Sequence, residues 1–263
     1  MSAIPPGAGP RPLAGSRRTG RFALVGASCV ALAAALAGCA GEDPDAGTNG
    51  VGKLPPATIE AKARAAAEHA DTVHLSGNVV SQGRTYKLDM SLAEDGARGE
   101  LTTKAAGFQL LRVGHALYLK ADAAFWAGEQ GGSSGGQGGH DPAAAQKLGG
   151  KYVKVPATDP VYKRFSGFTD KDTLLASLLG LHGKLTAGDR GTVDGTRTVR
   201  LTAGAGSGGT LDVSLEGTPY PLRLQRAGDA GVVRLADWGK DVDLKVPAKD
   251  QVVDYGSKIS GAG

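Results

Sequence analysis

The sequence predicts an α+β domain: a curved antiparallel β-sheet, a half-barrel, with helices packed on its concave face. Two observations carry that expectation. Short segments of alternating apolar and polar residues recur along the chain and are joined by tight turns, the pattern of a meandering sheet with one dry and one wet face. A stretch at 169–179 sets four leucines on one helical stripe, and the sheet's apolar side is the surface available to bury it. A signal peptide and a flexible tether precede this domain.

Taken in order, residues 1–38 read as a signal peptide. Arg11, Arg17, Arg18 and Arg21 give it a positive start with no acidic residue. The apolar run from Phe22 to Leu36 is shorter than the roughly 20 residues that a membrane-spanning helix needs. It leads into Leu36-Ala37-Gly38-Cys39, which resembles a lipobox and makes Cys39 the lipidation site. The expectation is a lipoprotein held on the extracytoplasmic side of the cell membrane through acylated Cys39. Each buried CH2 of the acyl chains contributes about 0.8 kcal/mol. Ser16-Arg17-Arg18 also hints at twin-arginine export, but Gly20 stands where that signal prefers a bulky apolar residue, so the route stays open.

Removing the signal changes the charge balance. The whole chain has a formal net charge of +4, and the four basic residues of the signal supply all of it. The remainder is neutral, which gives no reason to expect nucleic acid as a partner. Cys29 leaves with the signal and Cys39 is consumed by acylation, so stability must come from apolar burial and not from a disulfide.

Residues 39–57, rich in Gly, Asp and Pro, read as the lipidated flexible tether. The domain proper is expected over 58–256, with a disordered tail at 257–263. Thr58 to Ala70 has helical composition, with Thr58 as its N-cap. Val73, Leu75 and Gly77 precede a turn at Ser81-Gln82-Gly83. Tyr86, Leu88, Met90 and Leu92 alternate with Lys87, Asp89 and Ser91, a clean period of two. Asp95-Gly96 reads as a hairpin turn in which both residues tolerate positive φ. Strands follow at Ala97–Ala105, Phe108–Val113 and Ala116–Lys120. A short helix at Ala121–Gly128 carries Phe125 and Trp126, and the Gly/Ser-rich stretch 128–139 reads as a disordered loop. The leucine-striped helix is expected to start at Thr169 and to stop at Gly180. Thr192–Thr202 turns at Asp194-Gly195. Leu211, Val213 and Leu215 alternate with polar residues, Leu222 and Leu224 do likewise, and Val232–Ala236 follows a turn at Gly228-Asp229.

Several local strings resemble the actinobacterial lipoproteins of the LppX/LprG type: Tyr118-Leu119-Lys120, Ala123-Ala124-Phe125-Trp126 and Leu148-Gly149-Gly150-Lys151-Tyr152-Val153-Lys154-Val155-Pro156. Leu235-Ala236-Asp237-Trp238-Gly239-Lys240, running on to Val246-Pro247, is similar as well. The resemblance spans most of Thr58–Tyr255. It implies a half-barrel related to the LolA-like periplasmic lipoprotein carriers, closed by helices over an apolar cavity, in proteins that bind or carry lipids and glycolipids. The Gly/Ser insert after Trp126 departs from the better-known members.

Catalytic chemistry finds no foothold. Gly131-Gly132-Ser133-Ser134-Gly135 fits an esterase pattern but sits in a Gly/Ser run, not on a strand-to-helix turn. Gly204–Gly209 spells a dinucleotide fingerprint, yet a strand follows where that fingerprint needs a helix. His69, His74, His115, His140 and His182 lack the spacing of a zinc site. The expectation is no enzyme, no metal and no cofactor.

Two functions remain. In the first, sheet and helices close incompletely around a lipid or lipid-linked glycan. Leu88, Met90, Leu92, Leu110, Leu117, Leu119, Leu211, Val213, Leu215, Leu222 and Leu224 line the sheet side of that cavity. Leu174 and Leu178 line the helical side, with Phe125 and Trp126 at the wall or lip. Large aromatics are few, so long stretches of sheet rely on Leu and Val, which leaves room. In the second, the same residues fill an ordinary core, and the domain serves as a sensor or assembly module that binds another envelope protein through an exposed patch.

Overall fold

Alternation along the chain becomes twelve strands of one sheet in the computed structural model, which describes residues 43–254 except 82, 105–106 and 128–141. Residues 1–38, read as a signal peptide, together with Cys39, the esterase-like string at 131–135, His140 and residues 257–263, lie outside the described residues. A first meander comprises β1 (Thr72–Ser81), β2 (Arg84–Ala93), β3 (Gly96–Thr102), β4 (Gly107–Val113) and β5 (Ala116–Ala121). β6 (Tyr152–Val155) follows two short helices. A second meander comprises β7 (Leu185–Val193), β8 (Thr196–Ala203), β9 (Thr210–Ser214), β10 (Pro221–Gln225) and β11 (Gly231–Ala236), and β12 (Val252–Asp254) ends the described chain. The spatial order is β12-β6-β5-β4-β3-β2-β1-β11-β10-β9-β8-β7. The two meanders thus join where β11 pairs antiparallel with β1. β12 pairs parallel with β6, so the curved sheet is mixed, not purely antiparallel as the sequence suggested.

Register explains which face is dry. Pairing places Leu201, Leu211, Leu224, Val233, Gly77, Leu88, Leu101 and Phe108 in one row across eight strands. The next row runs Leu235, Leu75, Met90, Gly99, Leu110, Leu119, Val153. Two inward positions are glycine for a reason. At Gly77, φ is +148° and an added Cβ would press into the Val232 carbonyl oxygen; at Gly99 it would press into the Asp89 carbonyl and the Met90 sulfur. Close strand approach without a side chain is how a sheet bends sharply.

Among the described residues five helices accompany the sheet: α1 (Pro56–His69), α2 (Ala123–Trp126), α3 (Pro142–Leu148), α4 (Pro160–Thr169) and α5 (Lys171–Leu178). None among the described residues is long and apolar enough to cross a membrane. Buried side chains of α1, α4 and α5 join those of the sheet in one apolar cluster.

Several boundaries differ from the sequence reading. α1 begins at Pro56 and not after a Thr58 cap, because proline at the first helical position is pre-set in φ and lacks the N–H that would go unpaired there. The first β2–β3 turn residues are Glu94 and Asp95, neither with positive φ, and Gly96 already pairs with Ala93 as the first residue of β3. Thr169 closes α4, and Asp170 is the cap of α5, its carboxylate accepting from the Thr173 N–H at 2.9 Å. α2 is only four residues long, because Ala121 still belongs to β5. By contrast Asp194 and Gly195 both take positive φ in the β7–β8 turn, and a 3-10 turn at Gly204–Gly206 links β8 to β9 as a hairpin loop.

The segment read as a flexible tether is docked from residue 43 onward. A 3-10 turn at Val51–Lys53 puts Val51 into the core, and Asp45 is 8% exposed against Arg190.

Candidate functional site

The dry face of the sheet and its helical cover form the candidate site. On the sheet side Leu88, Met90, Leu92, Leu110, Leu117, Leu119, Leu211, Val213, Leu215 and Leu224 are all brought together, each exposed by 2% or less. Leu174 and Leu178 of α5 meet them from the other side and are buried too. Phe125 and Trp126 of α2 are partly buried and pack against the same cluster. Leu222 does not join. A bulge between Pro221 and Arg223 makes it the extra residue of β10, and it sits half-buried outside the cluster.

What closes the space is aromatic. Phe108 of β4 lies 5.0 Å from Phe165 of α4 and 5.5 Å from Phe125, which in turn is 5.1 Å from Trp126. Tyr86 and Phe168 meet at 6.4 Å. These aromatics converge at one end of the layer. The Trp126 indole N–H is buried in this cluster and, among the described residues, has no hydrogen-bond partner to offset its desolvation.

Two cations fasten the α4–α5 corner. Arg112 faces the dry side of β4 and donates from Nε and Nη2 to the Thr169 carbonyl at 3.0 and 2.8 Å. Lys171 is 5% exposed and donates to the Glu68 carbonyl at the end of α1, with Asp172 at 2.9 Å. Asp170, between them, is held below the usual carboxylate range mainly by its hydrogen bond to Thr173. Sequence reading missed both cations. Arg112 interrupts an apolar run and its Thr169 partner lies 57 residues further along, while Lys171 looks like an ordinary residue of a helix's first turn.

Two open clefts flank the layer. One, of about 320 Å³, lies between α1 and α5 over Ala67, Leu175 and Leu179, rimmed by Arg64, Glu68 and Asp172. The other, of about 360 Å³, lies beside Phe108 and Ala121 with Glu100, Lys120 and Asp122 at its edge. The second touches those rows only at Phe108, the end of one row. Among the described residues, buried apolar side chains of sheet and cover pack in one cluster between the two.

Chemistry on the wet face is sparse. His74 Nε2 lies 2.9 Å from the Asp89 carboxylate on exposed strand positions, and among the described residues no three metal-binding side chains cluster. Asp212 is buried on that face and shared by Arg200 and Arg223, at 2.8 and 2.7 Å.

No family model matches the chain, and no curated protein matches it significantly. Solved structures do. LprF from Mycobacterium bovis aligns at 17% identity over 73% of this chain and 96% of its own, with a TM-score of 0.48. An uncharacterised conserved protein from Thermus thermophilus aligns at 10% identity over 75% of this chain and 98% of its own, with a TM-score of 0.35. Lipoprotein LppX of Mycobacterium tuberculosis aligns at 16% identity over 73% of this chain and all of its own, with a TM-score of 0.43; the neighbours thus include mycobacterial lipoproteins of the LppX/LprG type, which the residue strings resemble.

Proposed function

We propose that this chain is an exported lipoprotein, anchored to the cell membrane through acylated Cys39, that binds a lipid or lipid-linked glycan between its helical cover and its sheet without catalysing a reaction. One observation carries the reading: the large apolar surface of the described domain lies almost wholly inside. Among the described residues only Val232 and Val246 are large exposed hydrophobics, at 42% and 60%. The layer under α4 and α5 gathers that surface, and it is there that an apolar ligand would find matching contacts. Leucine and phenylalanine side chains pack that layer, so uptake requires the cover to lift and the ligand's chain to replace the contacts they give up. Apolar burial at about 25 cal/mol per Å² then largely exchanges one contact for another. The Trp126 N–H, which has no partner among the described residues, gives a ligand carbonyl or hydroxyl something to gain.

The test is native mass spectrometry of the chain purified from a lipid-containing host, alongside Phe165→Ala. Removing that ring opens space beside Phe108, so the variant is expected to retain more lipid than wild type. Absence of lipid from both proteins would end the proposal.

The packed interior favours a second reading, an envelope module that binds another protein and takes no ligand. It predicts one partner recovered by cross-linking in cells and no lipid in the purified chain.

A further inference from the structure

Residues 43–54 are tied to one end of the sheet by a dense set of bonds. Arg190 forks onto Asp45, Nε to Oδ1 at 2.8 Å and Nη2 to Oδ2 at 2.7 Å, while Nη2 also reaches the Gly52 carbonyl. Arg197 donates to the carbonyls of Ala46 and Gly47, both at 3.0 Å. The Asn49 backbone N–H donates to Leu215, and its side-chain amide donates to the Ser214 and Gly217 carbonyls. Lys53 closes back on Asp43 at 2.7 Å. Every partner outside the segment belongs to β7, the start of β8, or the end of β9 and its loop to β10.

This strap leaves little free chain. Cys39 and Asp43 are four residues apart in the sequence, a reach of at most about 14 Å at full extension. α1 then carries the chain about 21 Å away from the strap before it meets α5 at the Lys171–Glu68 bond.

We propose that the strap presents one fixed end of the domain, the β7–β8 turn at Asp194-Gly195 and the β9–β10 loop around Thr218, to the surface of the lipid bilayer that holds Cys39. This rests on the lipid-anchoring reading. The domain is not a ball on a loose string: its strap end stays at headgroup level, and the α4–α5 corner stands away from it.

The full chain, made in a bacterium that processes lipoproteins, is reconstituted into phosphatidylcholine and phosphatidylglycerol vesicles. Acylation leaves no free thiol at Cys39, so a fluorophore can be placed at Thr218→Cys or, on α5, at Ala176→Cys. Nitroxide-headgroup lipid is expected to quench the Thr218 label several-fold more than the Ala176 label. A long Gly/Ser insertion after Gly41, which leaves the strap intact, is expected to remove that difference. A chain recovered without acyl groups overturns the anchoring and this orientation with it. An acylated chain whose two labels are quenched equally, or whose difference survives the insertion, overturns the orientation alone.

Discussion

Single residues decide what the leucine pattern alone could not. Leu222 and Leu224 look equivalent in sequence, two apolar residues alternating with polar ones. The bulge separates them, so Leu224 is 1% exposed in the core while Leu222 is outside it. Leu224→Ala is expected to cost about 3 kcal/mol, and Leu222→Ala less than about 1, in urea unfolding. Equal losses would mean that the bulge does not place them as described. Asp45 was unreadable for another reason: its partner Arg190 lies 145 residues further along the chain. The hydrogen bond from Arg190 holds the Asp45 carboxyl below its ordinary value, against desolvation that pulls the other way. A lowered folded value stabilises the ionised form, so the contribution is complete above the unfolded pKa and fades as pH falls through the folded one. Asp45→Asn is therefore expected to lose about 2 kcal/mol at pH 7, and the gap to wild type should shrink below about pH 4. A gap still undiminished at far lower pH would contradict this assignment.

At the level of elements, legibility followed periodicity. β1 to β5 and β8 to β11 were readable because alternation and turn residues agree. β6 and β12 were not, since four and three residues are too few to establish a period. α4 escaped because its sequence, PVYKRFSGFT, interrupts its apolar positions with Ser and Gly, and its end merges with the next helix's cap. All but one of the sheet residues expected on the dry face are buried there, because register acts on period-two strands as a unit. The cations that fasten the cover were invisible, because the carbonyls they hold, of Thr169 and Glu68, reach them only through the fold. They bear on function if the cover has to lift. Arg112→Met keeps much of the side chain's volume but removes both bonds to Thr169. Amide exchange in α5, at Leu174 to Leu178, is then expected to quicken about tenfold, equivalent to about 1.4 kcal/mol. Amides of Leu75 and Met90, in the middle of the sheet, should keep their wild-type protection. Acceleration spread evenly over both would show Arg112 to be a general stabiliser and not a fastening of the cover.

For the molecule as a whole, the sequence showed two meanders but not that the second returns to the first. That return sets His74 opposite Ala236 and Val79 opposite Gly231, a seam between chain segments far apart in sequence. Everything apolar crosses it, since both long rows of the dry face run from the second meander through β11 and β1 into the first. One continuous layer of this kind should unfold as one unit even though the chain builds it in two parts. Gly77 stands in the seam, with Val232 and Val233 of β11 against it, and leaves no room for a Cβ. Gly77→Val is expected to cost about 3 kcal/mol or more. Gly188→Ala, on the edge strand with open space around it, should change stability by less than about 0.5 kcal/mol. The shape of the transition is the sharper check. Trp126 reports on the cover over the first meander, and Trp238 packs beside Tyr220 and Pro221 at the second. With either tryptophan replaced by phenylalanine, the remaining fluorescence should trace the same denaturation curve as far-UV circular dichroism. Separate midpoints for the two would mean that each meander holds its own core and that the seam merely docks them. An interior divided in that way would not provide the single apolar layer on which the lipid-binding proposal depends.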